Sequence, residues 1–326
     1  MTAQIALIGL AAGAASALLF ASFASGSLLS VPLFYLSPLP ILIAALGWSH
    51  VAGLIAAIVA SAALAFIFGS FFFMSFLLGV GLPAWWLGYL ALLARPVAAG
   101  GAPGNDGESL EWYPIGRILI WAAIISSVVV GLVILTIATS EEALRTALRD
   151  TFQPLLARRE GAPQGADSAF VRMLLDFPQR VLPPAASVLT TVVTVFSLWL
   201  AGRVVRTSGR LRRPWPDIHA MTFPPRSLPL LAGALLGSIL LSGLPGIMAA
   251  ALSASLLTVY GMLGLAVVHA VTLGLNGRGL ILSAVYGAIF IFGWPILLLA
   301  MLGVTDMAVG LRGRTASSGR LPPPQE

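Results

Sequence analysis

Few residues in this chain could do chemistry within its long apolar runs. His269 lies in the later part of one run, His50 at the mouth of another, and Asp306 just past a third. Ionisable groups at such depth are functional candidates, because a charge is costly away from water. None of the three stands at the spacing of a paired carboxylate or a histidine cluster. His269 could hydrogen-bond a solute, but a bond to a backbone carbonyl is the preferred reading. Asp306 with Arg312 reads as the anchor of a helix end. The hydroxyls of Ser126, Ser127, Thr190, Thr191 and Thr194 have no base beside them in the sequence, and such residues are common at helix–helix contacts in membranes. No HExxH, GxSxG, Walker A or Gly-rich dinucleotide motif occurs. An enzyme is therefore not expected, and no catalytic residue, metal ligand or cofactor is assigned. The lack of a chain of carboxylates within the apolar runs also argues against a self-contained proton-driven pump.

The backbone offers a stronger candidate than the side chains. Residues 35–53, YLSPLPILIAALGWSHVAG, form an apolar segment interrupted by Pro38 and Pro40, passing Trp48 and His50 and resuming at Gly53. A proline removes a helix donor and crowds the preceding turn. Carbonyls freed at membrane depth persist only where protein or a water-lined cavity surrounds them, and broken helices often line solute sites in transporters. Tyr35, Pro38, Pro40, His50 and His269 are accordingly the solute-cavity candidates. A kinked helix packed on its neighbours is the plain alternative.

The elements that must position these residues follow from composition. The 326 residues are 58% hydrophobic and 9% charged, with a mean hydropathy of +0.97, whereas soluble proteins carry about 25% charged residues. A bilayer core of ~30 Å takes ~20 apolar residues per helix. Long uninterrupted runs exclude the short alternating strands of a barrel. The fold class is an all-α polytopic membrane protein of about nine transmembrane helices. Eight is the alternative count, should span 7 not cross, and an amphipathic helical insertion lies between spans 5 and 6. All 18 basic residues are Arg, from which no mechanism is drawn. The lack of Cys removes disulfides, thiolate metal sites and iron–sulfur clusters. The first residues lack a basic n-region and read as a retained span, not a signal peptide.

Residues 1–95 are expected to form a four-span bundle. Its first span carries Gly9, Gly13, Ala17 and Ala21, and its third Gly53, Ala57 and Ser61, at four-residue spacing suited to close helix packing. Span 4 has a soft centre at Gly79, Gly81 and Pro83 and an aromatic belt of Trp85, Trp86 and Tyr89. Residues 96–114 read as a Gly/Pro-rich loop and 115–139 as span 5. Residues 140–182 form an amphipathic extramembrane segment, with Leu144, Leu148, Phe152 and Leu155 on one face and Phe170, Met173, Leu174 and Phe177 on a second. Its two helices, separated by the turn-like GAPQG, would lie on the membrane or cap the bundle. Span 6 (183–202) is introduced by Pro183–Pro184, a helix-start signal. The loop 203–227 holds Arg203, Arg206, Arg210, Arg212, Arg213 and Arg226 against Asp217 alone, a net +5. Positive loops stay inside, so this loop and the N-terminus are placed in the cytoplasm of a bacterial inner-membrane protein. The five arginines from 203 to 213 serve topology and a grip on anionic lipid. The C-terminal spans occupy 228–305, the last a single helix over about 280–303, and the tail 306–326.

The first helix GLAAGAASALLF, the Pro-interrupted PLPILIAALGWSHVAG and the small-faced third span resemble the substrate-binding S components of energy-coupling-factor vitamin importers. YGMLGLAVVHAVTLGLNGRG (260–279) and LLLAMLGVTDMAVGLRGR (297–314), with Gly303, Asp306, Arg312 and Arg314, resemble the YybS-like family of predicted bacterial membrane proteins, which is of unknown function and related to those S components. The resemblance implies a small bundle that binds a vitamin-like solute and works with a coupling membrane subunit driven by ATPases. In that comparison Ala11 and Ala15, or Ala17 and Ala21, would face the coupling subunit. The extra spans and the 140–182 insertion depart from the pattern. Two functions follow as expectations: a solute-binding component of an importer, or a non-transporting envelope protein that recruits a partner through its extramembrane segments. The expected partners are the lipid bilayer and, on the importer reading, a coupling membrane subunit with ATPases; nucleic acid is not expected, and the oligomeric state is left open.

Overall fold

The computed structural model describes residues 2–97, 109–157 and 169–312; of residues 2, 97, 109, 149, 151–157 and 169–179 it describes the backbone alone. Two compact units account for the chain, the first of residues 1–122 and 192–222, the second of 123–191 and 223–326. Among the described residues seven helices are long and apolar enough to cross a membrane, and three shorter apolar ones accompany them. The molecule is thus an all-α membrane protein with seven candidate long spans among the described residues.

The first unit begins with α1 (Thr2–Ala21), followed by a single turn, Ser22–Ser25, that ends on Gly26 in the left-handed region. The candidate span Ser30–Gly47 is interrupted at the prolines, forming two helices, α2 (Ser30–Tyr35) and α3 (Pro38–Gly47), joined through a two-residue turn. The prolines sit in the first turn of α3, where a missing N–H costs least. Ser49 caps α4 (His50–Phe68) by accepting the Ala52 N–H at 3.3 Å. The soft centre of span 4 is a stretch of wide-turn helix, Leu77–Gly81, between α5 (Phe71–Phe76) and α6 (Leu82–Ala91).

Small residues set the helix spacing in this unit. A Cβ on Gly9 would meet Ile55 at 2.6 Å, and one on Gly13 would meet the Ala56 carbonyl at 2.7 Å, so α1 lies directly on α4. Gly53 is pressed against Ala45 of α3, Gly88 of α6 meets Ala45 too, and Ala57 meets Gly81. Ala17 and Ser61 are buried, Ser61 donating its hydroxyl to the Ala57 carbonyl at 2.8 Å, while Ala21 is half-buried.

Two elements differ from the sequence expectation. The stretch read as a loop from residue 96 opens and closes as an antiparallel pair, β1 (Ala94–Val97) with β2 (Ser109–Trp112), Arg95 bridging Glu111 at 2.6 Å. The turn between the strands, 98–108, lies outside the described residues. Pro183–Pro184 does not start a helix. The chain is helical without a break from Ala169 to Thr207 (α9), its apolar part beginning at Arg180.

In the second unit, α7 (Ile115–Ile137, which starts in the first) leads into α8 (Glu141–Ala157). Ser140 caps α8, accepting the Ala143 N–H at 3.1 Å. Leu144 is buried with Val130, Ile134 and Ala138, and Leu148, Leu244 and Ile247 pack on this cluster. The start of the amphipathic segment is therefore seated on helical neighbours. The side chains of Phe152, Leu155, Phe170, Met173, Leu174 and Phe177, and the GAPQG turn, lie outside the described set.

The remaining helices are α10 (Ser227–Leu240), α11 (Gly243–Val271), α12 (Arg278–Phe292) and α13 (Pro295–Val309). The single last span expected over 280–303 is a correction: Gly293, at a φ of 71°, and Pro295 split it into α12 and α13. α11 and α13 pack closely. A Cβ on Gly261 would lie 2.7 Å from Ile296, and Gly264 and Gly303 each lie against backbone of the opposite helix. α12 has no buried residue.

Candidate functional site

The proline break is closed from within. Pro38 and Pro40 leave the carbonyls of Phe34 and Leu36 without their α-helical donors. Each is taken by a nearer N–H, Ser37 N–H to Phe34 at 3.1 Å and Leu39 N–H to Leu36 at 3.0 Å. The Ser16 hydroxyl, fully buried on α1, donates to the Ser37 carbonyl at 2.5 Å. Around it stand aromatic rings: Phe34 lies 4.9 Å from Phe20, 5.4 Å from Phe23 and 5.4 Å from Tyr35, and Phe20 meets buried Phe76 edge-on at 5.1 Å. Tyr35, Pro38 and Pro40 are half-buried in this setting.

The histidines lie apart from the break. His50 follows the far end of α3, a ten-residue helix that is about 15 Å long; it is exposed and packs edge-on against Tyr89 at 5.4 Å. His269 belongs to the second unit, where its Nε2 lies 3.0 Å from the Tyr286 hydroxyl of α12. Asp306 is buried, and Arg312 meets its carboxylate through Nε at 2.8 Å, Nη2 at 2.7 Å and its own backbone N–H at 3.1 Å. This fastens the end of α13 where Gly310 takes the left-handed cap. Among the described residues no group of three His, Asp or Glu could hold a metal ion.

A third arrangement is the one richest in uncommitted polar groups. It lies in the first unit where α9 ends. The Trp215 ring packs beside Gly202, where an added Cβ would come within 3.5 Å. Arg203 lies between Trp199 and Trp215, 6.0 and 5.6 Å from the ring centres, and Arg206 sits over Trp215 at 5.0 Å. Arg210 sits over Trp48, at the end of α3, at 4.6 Å. Arg213 is tucked beneath, donating to the Ala91 carbonyl at the end of α6 at 3.3 Å, a favourable place for a cation. Burial lowers its pKa from the ordinary guanidinium value. Asp217, the loop's lone acid, is occupied by His219, whose N–H and ring Nδ1 reach it at 2.9 and 2.8 Å. Burial alone would raise the Asp217 pKa, but the His219 interactions together hold it below the usual carboxylate value.

Arg203, Arg206, Arg210 and Arg212 are exposed, and among the described residues no carboxylate pairs with them. The sequence shows the charge of this loop; the Trp48, Trp199 and Trp215 rings beneath it are not legible there, because they come from three separate stretches.

Many apolar helices and glycine-mediated crossings define a multi-pass helical membrane protein. The chain belongs to the family described as Predicted membrane protein (DUF2232), whose sequence model matches residues 14–307. No curated protein and no solved structure matches it.

Proposed function

We propose that this membrane protein does not carry a solute at its Pro38–Pro40 break and instead acts as a docking protein, its arginine–tryptophan platform receiving an anionic partner on the cytoplasmic side. The observation that carries this reading is the set of exposed guanidinium groups at 203, 206, 210 and 212 without carboxylate partners among the described residues, on a loop tied down by Arg213. Cation–aromatic contacts hold the groups at 203, 206 and 210 beside rings while leaving their N–H edges available. The break, by contrast, spends its polar groups internally and presents aromatic rings. The test is photo-cross-linking in cells from position 218, where Ile218 is exposed, with adducts identified by mass. Adducts should form and should be lost when Arg203, Arg206 and Arg210 are changed to Gln. Adducts that ignore those changes would overturn the reading.

One observation favours the importer reading. Gly9 and Gly13 are covered by α4 and Ala17 is buried, yet Ala11 is exposed and Ala15 half-buried on α1. That face is open to a coupling subunit of the kind the S-component and YybS-like resemblance implies. A thermal-shift screen against vitamins and nucleobases separates the two readings, since a ligand at 100 times its Kd adds ~2.7 kcal/mol.

A further inference from the structure

We infer that the anionic partner of the platform is the phosphate head group of an anionic phospholipid, an inference that rests on the docking reading above. Arg203 and Arg206 occupy the last turns of the candidate span Arg180–Thr207, so their guanidinium groups stand where an apolar helix meets the head-group layer. Tryptophan is the side chain favoured at that depth, its ring apolar and its N–H polar. Arg203 and Arg206 lie 5.6 and 5.0 Å from the Trp215 ring centre, and Arg210 lies 4.6 Å from that of Trp48. A guanidinium backed by a ring presents a planar edge of donors, which matches phosphate oxygens in a bidentate manner. Arg213, bonded to the Ala91 carbonyl at the end of α6, ties the loop to the end of a candidate membrane helix. Arg203 and Arg206 share one ring and Arg210 uses another, so phosphodiesters from the surrounding leaflet can meet these edges, and an anionic lipid supplies the net negative charge that a zwitterionic one lacks.

The test uses purified full-length protein in detergent, titrated with phosphatidylglycerol or phosphatidylcholine, with bound lipid counted by native mass spectrometry at low and high salt. Phosphatidylglycerol should be preferred, the preference should fall with salt, and changing Arg203, Arg206 and Arg210 to Gln should weaken it on the order of fivefold per residue. Equal binding of the two lipids by the wild type, or a preference unchanged in the Gln variant, would overturn the inference. If the Gln variant does not fold, the Arg203→Lys, Arg206→Lys, Arg210→Lys variant decides, since it keeps charge and loses the planar edge; an undiminished preference there would refute the guanidinium site. Arginine-dependent adducts at position 218 that are protein alone, with equal lipid binding, would remove the lipid and leave the docking reading standing. Adducts indifferent to the arginines, with equal lipid binding, would remove both.

Discussion

Replacing Gly264 by alanine perturbs the tightest helix contact in the second unit. The added Cβ would collide with the Leu299 carbonyl oxygen and stand 2.6 Å from its carbon, whereas ordinary contact begins near 3.4 Å. Relieving the carbon contact alone, 3.4 less 2.6, requires α11 and α13 to part by about 0.8 Å, and the nearer carbonyl oxygen demands more. Both sides of the clash are backbone, so no rotamer change relieves it. Overpacking of this kind costs ~1–3 kcal/mol, and separation also thins the dispersion contacts of buried Leu263 and Leu299. Alanine returns ~1 kcal/mol of helix propensity relative to glycine. Because the clash is backbone on backbone it falls at the upper end of that range, so about 3 less about 1 leaves a net loss of about 2 kcal/mol for Gly264→Ala, and about 3 for Gly264→Val, which gains less propensity. Gly287 of α12 supplies the control, because nothing lies within 4 Å of its added Cβ; Gly287→Ala should be neutral or stabilising. Thermal denaturation of detergent-purified protein, followed by fluorescence-detected size exclusion, reads all three. A Gly264→Ala protein as stable as the wild type would refute the close α11–α13 contact.

Ser16→Ala removes the buried donor to the Ser37 carbonyl and should cost ~0.5–1.5 kcal/mol in the same assay; no loss would mean that the break is closed by other means. Asp306→Asn leaves Arg312, whose side chain is only 16% exposed, without its counter-charge and should cost ~3–5 kcal/mol. Changing both residues to Met should recover much of that loss, and failure to recover would point to a role beyond the pair. The Asp217 carboxyl has a folded pKa below its unfolded one, so its contribution is complete above the unfolded value of ~3.9 and is lost as pH falls through the lower folded value. Limited proteolysis of the loop should rise in strong acid as the Asp217 carboxylate is protonated. Asp217→Asn should remove that acid-dependent step.

Much of the helical frame was legible because apolar length is a direct requirement of the bilayer. The break before Pro38 was legible for a similarly local reason, since a missing N–H acts on its own turn. The opposite outcome at Pro183–Pro184 shows the limit: the same residue type is carried within a continuous helix. The split at Gly293–Pro295 was missed because hydropathy runs through it unchanged, while the left-handed glycine that causes it is a backbone property. The pairing of 260–264 with 299–303 joins the two stretches on which the family resemblance rests, a link that no spacing rule within one helix can supply. At the candidate site the arginines could be read from charge, but their aromatic backing joins α3, α9 and the loop, and only the folded chain brings these together.

The three short helices α10, α12 and α13 carry a consequence for the surrounding lipid. At 14 or 15 residues they measure only about 21–22 Å, some eight ångström less than a hydrocarbon layer of ~30 Å. Where such a helix crosses the layer by itself, the acyl chains alongside compress to meet its ends, a mismatch that costs fractions of a kcal/mol per ångström. α12, with no residue fully buried and packed on the protein where Tyr286 meets His269, would meet that compression on its outward side. Thin, short-chain bilayers are therefore the environment in which the second unit rests with least elastic penalty.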